Sequence, residues 1–262
     1  DYAPLAETMG RLPWAPEVFN CSAPDTGNME LLHRFATLEQ RAQWLAPLLD
    51  GSIRSAFAMS EPDVASSDPT NLQTTVRREG AQLVLNGRKW FITGAAHPNC
   101  RLLIVLCRNA AIAPDAAEEG PDASAHQQHS MVLVPLNSPG VQVVRNISMM
   151  HHLAPEGHCE ILLRDVRVPA DHLLGAWGEG FSMAQARLGP GRVHHCMRAI
   201  GQCELALTLA AERTLERQAF GKHLADFSNV QDWIAESRIE IDQARLLVLY
   251  VAWELDQGTV GP

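Results

Sequence analysis

Basic residues are in the minority in this 262-residue chain. Its 21 Lys and Arg stand against 30 Asp and Glu, a formal net charge of -9. A nucleic-acid binder shows a basic face, so that class of partner is set aside. Long apolar runs are also missing. The longest, Leu246 to Trp253, is too short to span a bilayer, carries helix-type charges on its flanks and reads as a buried helix. The six cysteines (Cys21, Cys100, Cys107, Cys159, Cys196 and Cys203) have no short paired spacing. They read as free, mostly buried thiols in a reducing compartment. No signal peptide, transit peptide or internal repeat is visible, and Asp1 stands where an initiator Met would, so the chain reads as starting inside a larger protein. What is abundant is apolar content, 46%, enough for a sizeable core in one large or two modest domains.

The pattern of that content changes along the chain. Residues 1–53 read as helical. Asn28 is a candidate cap for Met29 to Phe35, and Thr37 with Gln40 forms a capping-box pattern ahead of Leu38 to Leu49. Residues 54–168 read as short strands: Leu72–Val76, Gln82–Leu85, Leu102–Leu106, Met131–Pro135, Val141–Val144 and Cys159–Leu163. Asn86-Gly87 is the strongest hairpin signal among them. Asn109 to Ser130, rich in Ala, Asp, Glu, Gly and Pro, reads as an exposed loop. The chain turns helical again from Gly180. Gly189-Pro190-Gly191 marks a break or restart before two long helices, Val193–Arg217 and Val230–Leu255. The predicted fold is α+β and multidomain. It has a partial N-terminal helical domain (1–53), a central β-barrel-like domain (54–168) and a partial C-terminal four-helix bundle (169–262).

The chemistry points to Phe57-Ala58-Met59-Ser60-Glu61-Pro62-Asp63-Val64-Ala65-Ser66-Ser67-Asp68. A short apolar strand breaks at Pro62 into a loop of small residues and hydroxyls, where backbone amides can approach a ligand closely. Asn86-Gly87-Arg88-Lys89-Trp90-Phe91-Ile92-Thr93-Gly94 gives a second strand ending in a hydroxyl and a glycine. Two such strand ends offer aromatic and aliphatic walls with polar edges. They suit a flat, polar-edged ligand and point to flavin.

Further motifs follow in order: Asp165-Val166-Arg167-Val168-Pro169, Gly178-Glu179-Gly180-Phe181 and Glu216-Arg217-Gln218-Ala219-Phe220-Gly221-Lys222. With the two segments above, the whole chain resembles the acyl-CoA dehydrogenase family of flavoenzymes. Ala15 to Met29 and Leu188-Gly189-Pro190-Gly191-Arg192-Val193-His194-His195-Cys196-Met197-Arg198 are similar to the branch represented in animals by family members ten and eleven.

The resemblance implies FAD as cofactor, lined by Phe57, Met59, Ser60, Ser66, Ser67, Phe91, Ile92 and Thr93. Arg217 and Phe220 would reach the flavin of a neighbouring subunit, in a homo-oligomer (dimer or tetramer). Ser67 would lie near the acyl-CoA substrate, and Arg192 beside its reacting carbons. Electrons would pass to an electron-transfer flavoprotein, in the cytoplasm of a bacterium or in an animal mitochondrion or peroxisome. The implied reaction removes an α proton and a β hydride from the thioester, which requires a buried carboxylate base with a raised pKa. No such base is identified in this chain. The position before Arg192, which carries it in one branch, is Gly191, and the base is expected beyond Pro262. The alternatives are a flavin oxidase of the same superfamily and a non-catalytic flavin-binding relative.

Blander readings stand beside these. Glu61 reads as a backbone tether rather than a proton acceptor. Glu236, Glu240 and Glu254 read as partners of Arg238 and Arg245 on a solvated helix. Adjacent His151-His152 and His194-His195 diverge in direction and suit a metal poorly, although one of the second pair is a candidate for the active-site cavity. Ser66 and Ser67 lack a nucleophile-elbow context. Trp90 and Trp233 read as core.

Overall fold

The computed structural model describes residues 2–110 and 127–259, so the loop reading for Asn109 to Ser130 falls largely outside the described residues. The described chain divides into two compact units, Ser22–Arg187 and a helical unit of Asp1–Cys21 with Leu188–Pro262. Among the described residues, no helix is long and apolar enough to cross a membrane.

The N-terminal helices are α1 (Tyr2–Gly10), α2 (Ala15–Val18), α3 (Asp25–Phe35), α4 (Leu38–Gln40) and α5 (Ala46–Leu49), with a π-turn over Arg41–Leu45 between the last two. The capping box forms as read: Thr37 Oγ1 accepts the Gln40 N–H at 3.2 Å, and Gln40 Oε1 accepts the Thr37 N–H at 3.1 Å. Gln40 Nε2 then donates to the carbonyls of Asp171 and Leu173, at 2.6 and 2.9 Å. Gln40 thus also ties this helical segment to the chain leaving the sheet. Asn28 is not a cap. It lies buried inside α3, and its amide donates to Ser55 Oγ at 2.8 Å.

Eight strands form one mixed sheet: β1 (Arg54–Ala58), β2 (Thr75–Glu79), β3 (Gln82–Thr93), β4 (Cys100–Asn109), β5 (His129–Pro135), β6 (Val141–Asn146), β7 (His158–Pro169) and β8 (Leu173–Leu174). The order is β6-β7-β3-β2-β4-β5-β8, with β1 parallel to β4. Strand β4 has an unbroken apolar run because both of its faces are covered. Leu103, Val105 and Cys107 enter one core with residues of β1, β2, β3, β5 and β7. Leu102, Ile104 and Leu106 enter a second with α3, Trp44, Leu48 and Met183. The first core is filled from six strands of the one mixed sheet, and helices cover the second.

Asn86-Gly87 does not turn. It lies inside β3, and the hairpin is at Gly80-Ala81, where Glu79 pairs with Gln82 and Gly80 has φ +58°. Glycine is needed at 87 for another reason: a Cβ there would strike Thr74, just before β2.

The C-terminal elements are α6 (Gly180–Glu216), the short pair β9 (Gln218–Ala219) and β10 (Lys222–His223), and α7 (Ser228–Gln257). The predicted break at Gly189-Pro190-Gly191 does not occur; α6 runs through Pro190. Proline removes one helical hydrogen bond. Met183 and Ala184 before it are anchored in the core of the first unit, and Val193 and Met197 after it in that of the second. Packing on both sides outweighs local propensity.

In the helical unit, α1 meets α6 backbone to backbone. A Cβ at Gly10 would strike the Arg198 carbonyl, and one at Gly201 the Glu7 carbonyl. A small core of Ala3, Ala6, Val193, Met197, Ile200 and Ile241 fills the contact. An ionic network joins the three helices: Arg238 and Arg245 of α7 both hold Glu204 of α6 and Asp242, and Arg245 also holds Glu7 of α1. The arginines therefore pair with these acids, not with Glu236, Glu240 or Glu254 as read from the sequence. Trp233 is not core either; it is 61% exposed.

Candidate functional site

Strand β1 ends at Ala58, and the chain continues through Met59-Ser60-Glu61 into the loop that Pro62 opens. Hydrogen bonds through Lys89, Trp90 and Glu61 fix this strand end. The Lys89 ammonium, buried within β3, donates to the Met59 carbonyl at 2.9 Å, to Glu61 Oε1 at 2.9 Å and to the Leu106 carbonyl of β4 at 2.7 Å. The Trp90 N–H donates to the Ser60 carbonyl at 3.0 Å. The Glu61 N–H donates to Ser66 Oγ at 2.9 Å, which closes the loop on itself. The Glu61 carboxylate accepts the N–H groups of Gln73 and Thr74, at 2.7 and 2.9 Å, where the loop returns. Glu61 is thus a tether, as read.

Burial raises the Glu61 carboxyl, but Lys89 and the backbone and side-chain donors outweigh it, and its pKa lies below the usual range. Burial likewise pulls Lys89 down, against the influence of Cys107 and Glu61. Burial pushes the neighbouring Cys107 thiol up to about 12, so it stays neutral.

The second segment is shaped by a bulge. Residues three apart on a regular strand face opposite ways, yet Lys89 and Ile92 are both buried, because the β3–β7 register shifts between them. The extra residue leaves Trp90 half-buried and Phe91 43% exposed at φ +51°, their rings 4.8 Å apart. A non-glycine residue held at positive φ is a strained feature of the kind that collects at ligand sites, and bulges re-aim side chains there. Beyond it, Thr93 Oγ1 shares a 3.0 Å hydrogen bond with His158 Nδ1.

Phe57, half-buried in β1, is backed by Arg187, whose guanidinium carbon lies 4.0 Å from the ring centroid. Arg187 Nε donates to Asn28 Oδ1 at 2.9 Å, and its Nη2 to the Pro24 carbonyl at 3.2 Å. Asn28 passes the chain to Ser55, whose hydroxyl donates to Asp25 at 2.6 Å. Burial lowers the Arg187 pKa to about 10, against Glu30 and Asp25, and it remains a cation at neutral pH.

The structure brings Phe57, Met59, Ser60, Ser66, Ser67, Phe91, Ile92 and Thr93 into the first unit, on strand ends joined through Lys89 and Trp90. Their availability differs. Ser67 is exposed, Ser60, Ser66 and Thr93 are half-buried, and the Ile92 side chain is in the core, which leaves only its backbone for a ligand. Arg192, Arg217 and Phe220 lie in the helical unit and are all exposed, Phe220 by 97% and at φ +53°. His194 packs edge-on against Tyr2, with centroids 4.5 Å apart, and burial lowers its pKa to about 4. All six cysteines are free, but Cys196 and Cys203 are exposed rather than buried.

Two residues escaped the sequence reading, Lys89 as the partner of Glu61 and Arg187 behind Phe57. A lone lysine among the apolar residues of a strand was the available signal for the first. The donor set suits a flavin: a presented aromatic, a cation-backed aromatic wall, Met59 and several hydroxyls on a rigid strand end. Among the described residues, no group of three His, Cys, Asp or Glu could hold a metal.

Comparison with known proteins agrees with this reading. The family description "Acyl-CoA dehydrogenase, middle domain" matches residues 56–166, and "Acyl-CoA dehydrogenase, C-terminal domain" matches residues 178–261. The probable acyl-CoA dehydrogenase FadE2 of Mycobacterium tuberculosis is 57% identical over 98% of this chain, which spans 61% of that protein. Acyl-CoA dehydrogenase family member 11 of Homo sapiens is 48% identical over the full chain, which spans 33% of it. A solved structure from Mycobacterium abscessus, assigned to the acyl-CoA dehydrogenases, superposes with a TM-score of 0.90 at 51% identity. The match covers 97% of this chain and 60% of that one.

Proposed function

We propose, for a chain that belongs to the acyl-CoA dehydrogenase family, that it binds FAD and serves the α,β-dehydrogenation of an acyl-CoA thioester, with electrons passing to an electron-transfer flavoprotein. The observation that carries this reading is the pair of strand ends Phe57–Ser60 and Trp90–Thr93. The Lys89 and Trp90 hydrogen bonds hold them together, and the β3 bulge presents Phe91 beside them.

FAD, when bound, supplies the acceptor for the hydride leaving the β carbon. The residues of this chain bind and orient. Phe57 and Phe91 supply apolar walls, Ser60, Ser66, Ser67 and Thr93 supply hydroxyls at the polar edge, and Ser67 lies where the acyl-CoA approaches. Arg192 serves the substrate, while Arg217 and Phe220 serve the flavin of a second copy in a dimer or tetramer. Gly191 occupies the position beside Arg192, and a glycine there has no carboxylate to act as base.

The test is anaerobic titration of the purified full-length protein, loaded with FAD, with acyl-CoA thioesters of graded length. Bleaching of the flavin absorbance, with reoxidation by an electron-transfer flavoprotein but slowly by oxygen, is the expected result. Fast reoxidation by oxygen identifies an oxidase instead. A protein that holds FAD but is never bleached is a binding protein.

A further inference from the structure

We infer that Lys89 is a positioning residue for the cofactor: it holds the Met59 peptide in one orientation and so sets flavin affinity, beyond its part in the stability of the sheet. The inference rests on the flavin reading above.

A charged ammonium in the interior of a strand is costly to desolvate, and an apolar side chain of similar length would pack there at less cost. Lys89 is fully buried and satisfied by three acceptors from three segments: the Met59 carbonyl at the end of β1, the Leu106 carbonyl of β4 and the Glu61 carboxylate in the loop. The ordinary ladder of β3 needs none of these contacts.

Their effect falls on the strand end that faces the ligand. In a trans peptide the N–H opposes the C=O. Lys89 draws the Met59 carbonyl inward and thereby turns the Ser60 N–H away from the core. Trp90 draws the Ser60 carbonyl toward β3, and the Glu61 N–H opposite it closes on Ser66 Oγ. Two successive peptide planes are fixed in this way, the first by the Lys89 side chain and the second by the Trp90 backbone with the Ser66 hydroxyl. The first is the plane that aims a backbone donor out of the strand end.

The test compares Lys89→Met, Glu61→Gln and the double variant in the full chain. FAD dissociation is read by quenching of cofactor fluorescence, and Tm by calorimetry. Lys89→Met is expected to weaken FAD binding about tenfold, the equivalent of one hydrogen bond to a charged group, and to lower Tm. Glu61→Gln keeps the bond to Met59; it is expected to lower Tm while leaving FAD affinity within about threefold of wild type. The double variant removes the unpaired charge. It should recover part of the Tm lost in Lys89→Met and still bind FAD about tenfold more weakly.

Affinity that tracks Tm across all three variants overturns the inference, as does wild-type affinity in the double variant. Loss of soluble protein in the double as well as in Lys89→Met also overturns it, because the lysine is then a folding requirement. A wild-type protein that holds no FAD refutes the flavin reading instead, before any variant is compared.

Discussion

Strand β4, with five Leu, Ile or Val in 10 residues, and helix α7, with ten in 30, are both rich in branched apolar side chains but dispose of them differently. Every side chain of β4 from Leu102 to Cys107 is buried, alternately in two cores. On α7, Ile241 alone is buried, while Trp233, Ile239, Leu246, Leu247 and Trp253 are all more than half exposed. The strand finds partners for both faces within its own unit. The helix packs one face only, through Ile241, Val248, Leu249 and Leu255, with the ion pairs of Arg238 and Arg245 beside it. Apolar content alone therefore does not say where stability resides; the number of covered faces does.

The largest effect is expected in β4. Ile104→Ala removes a fully buried side chain from a core shared with Leu31, Leu48 and Met131, and should cost about 2–5 kcal/mol by chemical denaturation. A cost under about 1 kcal/mol would show that this core collapses around the cavity, and would remove the contrast from the strand side.

Much of this arrangement can be read from residues. The β4 run, the capping box at Thr37 and the loop after Ala58 follow from local pattern, because neighbours in sequence supply the signal. Three features do not. Asn86-Gly87 mimics a hairpin, and its glycine answers to Thr74, which is remote in sequence. Pro190 mimics a helix end and is overridden by packing on either side of it. The bulge that buries both Lys89 and Ile92 is set by the register against β7, which no spacing within β3 encodes. For the same reason the candidate site could be located from the sequence, whereas Lys89 and Arg187 could not be assigned their work: each acts on a segment distant in the chain.

The next effect is expected in the ionic network. Arg245→Met leaves Glu7, Glu204 and Asp242 with one arginine, Arg238, which touches only two of them. Arg245 is largely shielded, at 22% side-chain exposure, so the loss should be about 1–3 kcal/mol. It should appear in unfolding of the helical unit.

The pH dependence comes from the same place. The Arg238 hydrogen bonds, opposed by burial and aided by Arg245, hold Glu204 down at about 2, below the ordinary 4.5. A depressed carboxylate stabilises the fold above its unfolded pKa and loses that contribution as pH falls. The network should therefore weaken between about pH 4.5 and 2. His194, held neutral with its pKa near 4 instead of 6.5, adds a loss that begins higher, as pH falls below about 6.5. Tm measured across this range should decline in two stages, and Glu204→Gln should remove the lower one. A single stage unaffected by that substitution would mean that the network contributes little in solution.

A smaller effect is expected at Thr37. Thr37→Ala removes the hydroxyl that accepts the Gln40 N–H and leaves the Gln40 side-chain Oε1 bonded to the residue 37 N–H. The expected cost is about 1 kcal/mol. A larger loss would mean that the Gln40 contacts to Asp171 and Leu173 fail together with the cap.

The smallest effect is expected on α7, and it bears most directly on the contrast with β4. Trp233 is 61% exposed. Trp233→Ser should change stability by no more than about 0.5 kcal/mol, the range for surface positions without special contacts. Light scattering at several concentrations should be run on both proteins. If the substitution costs as much as Ile104→Ala and also lowers the measured mass, the exposed face of α7 is covered in solution by a second copy of the chain. The helix would then resemble the strand, with its second face buried between molecules rather than within one.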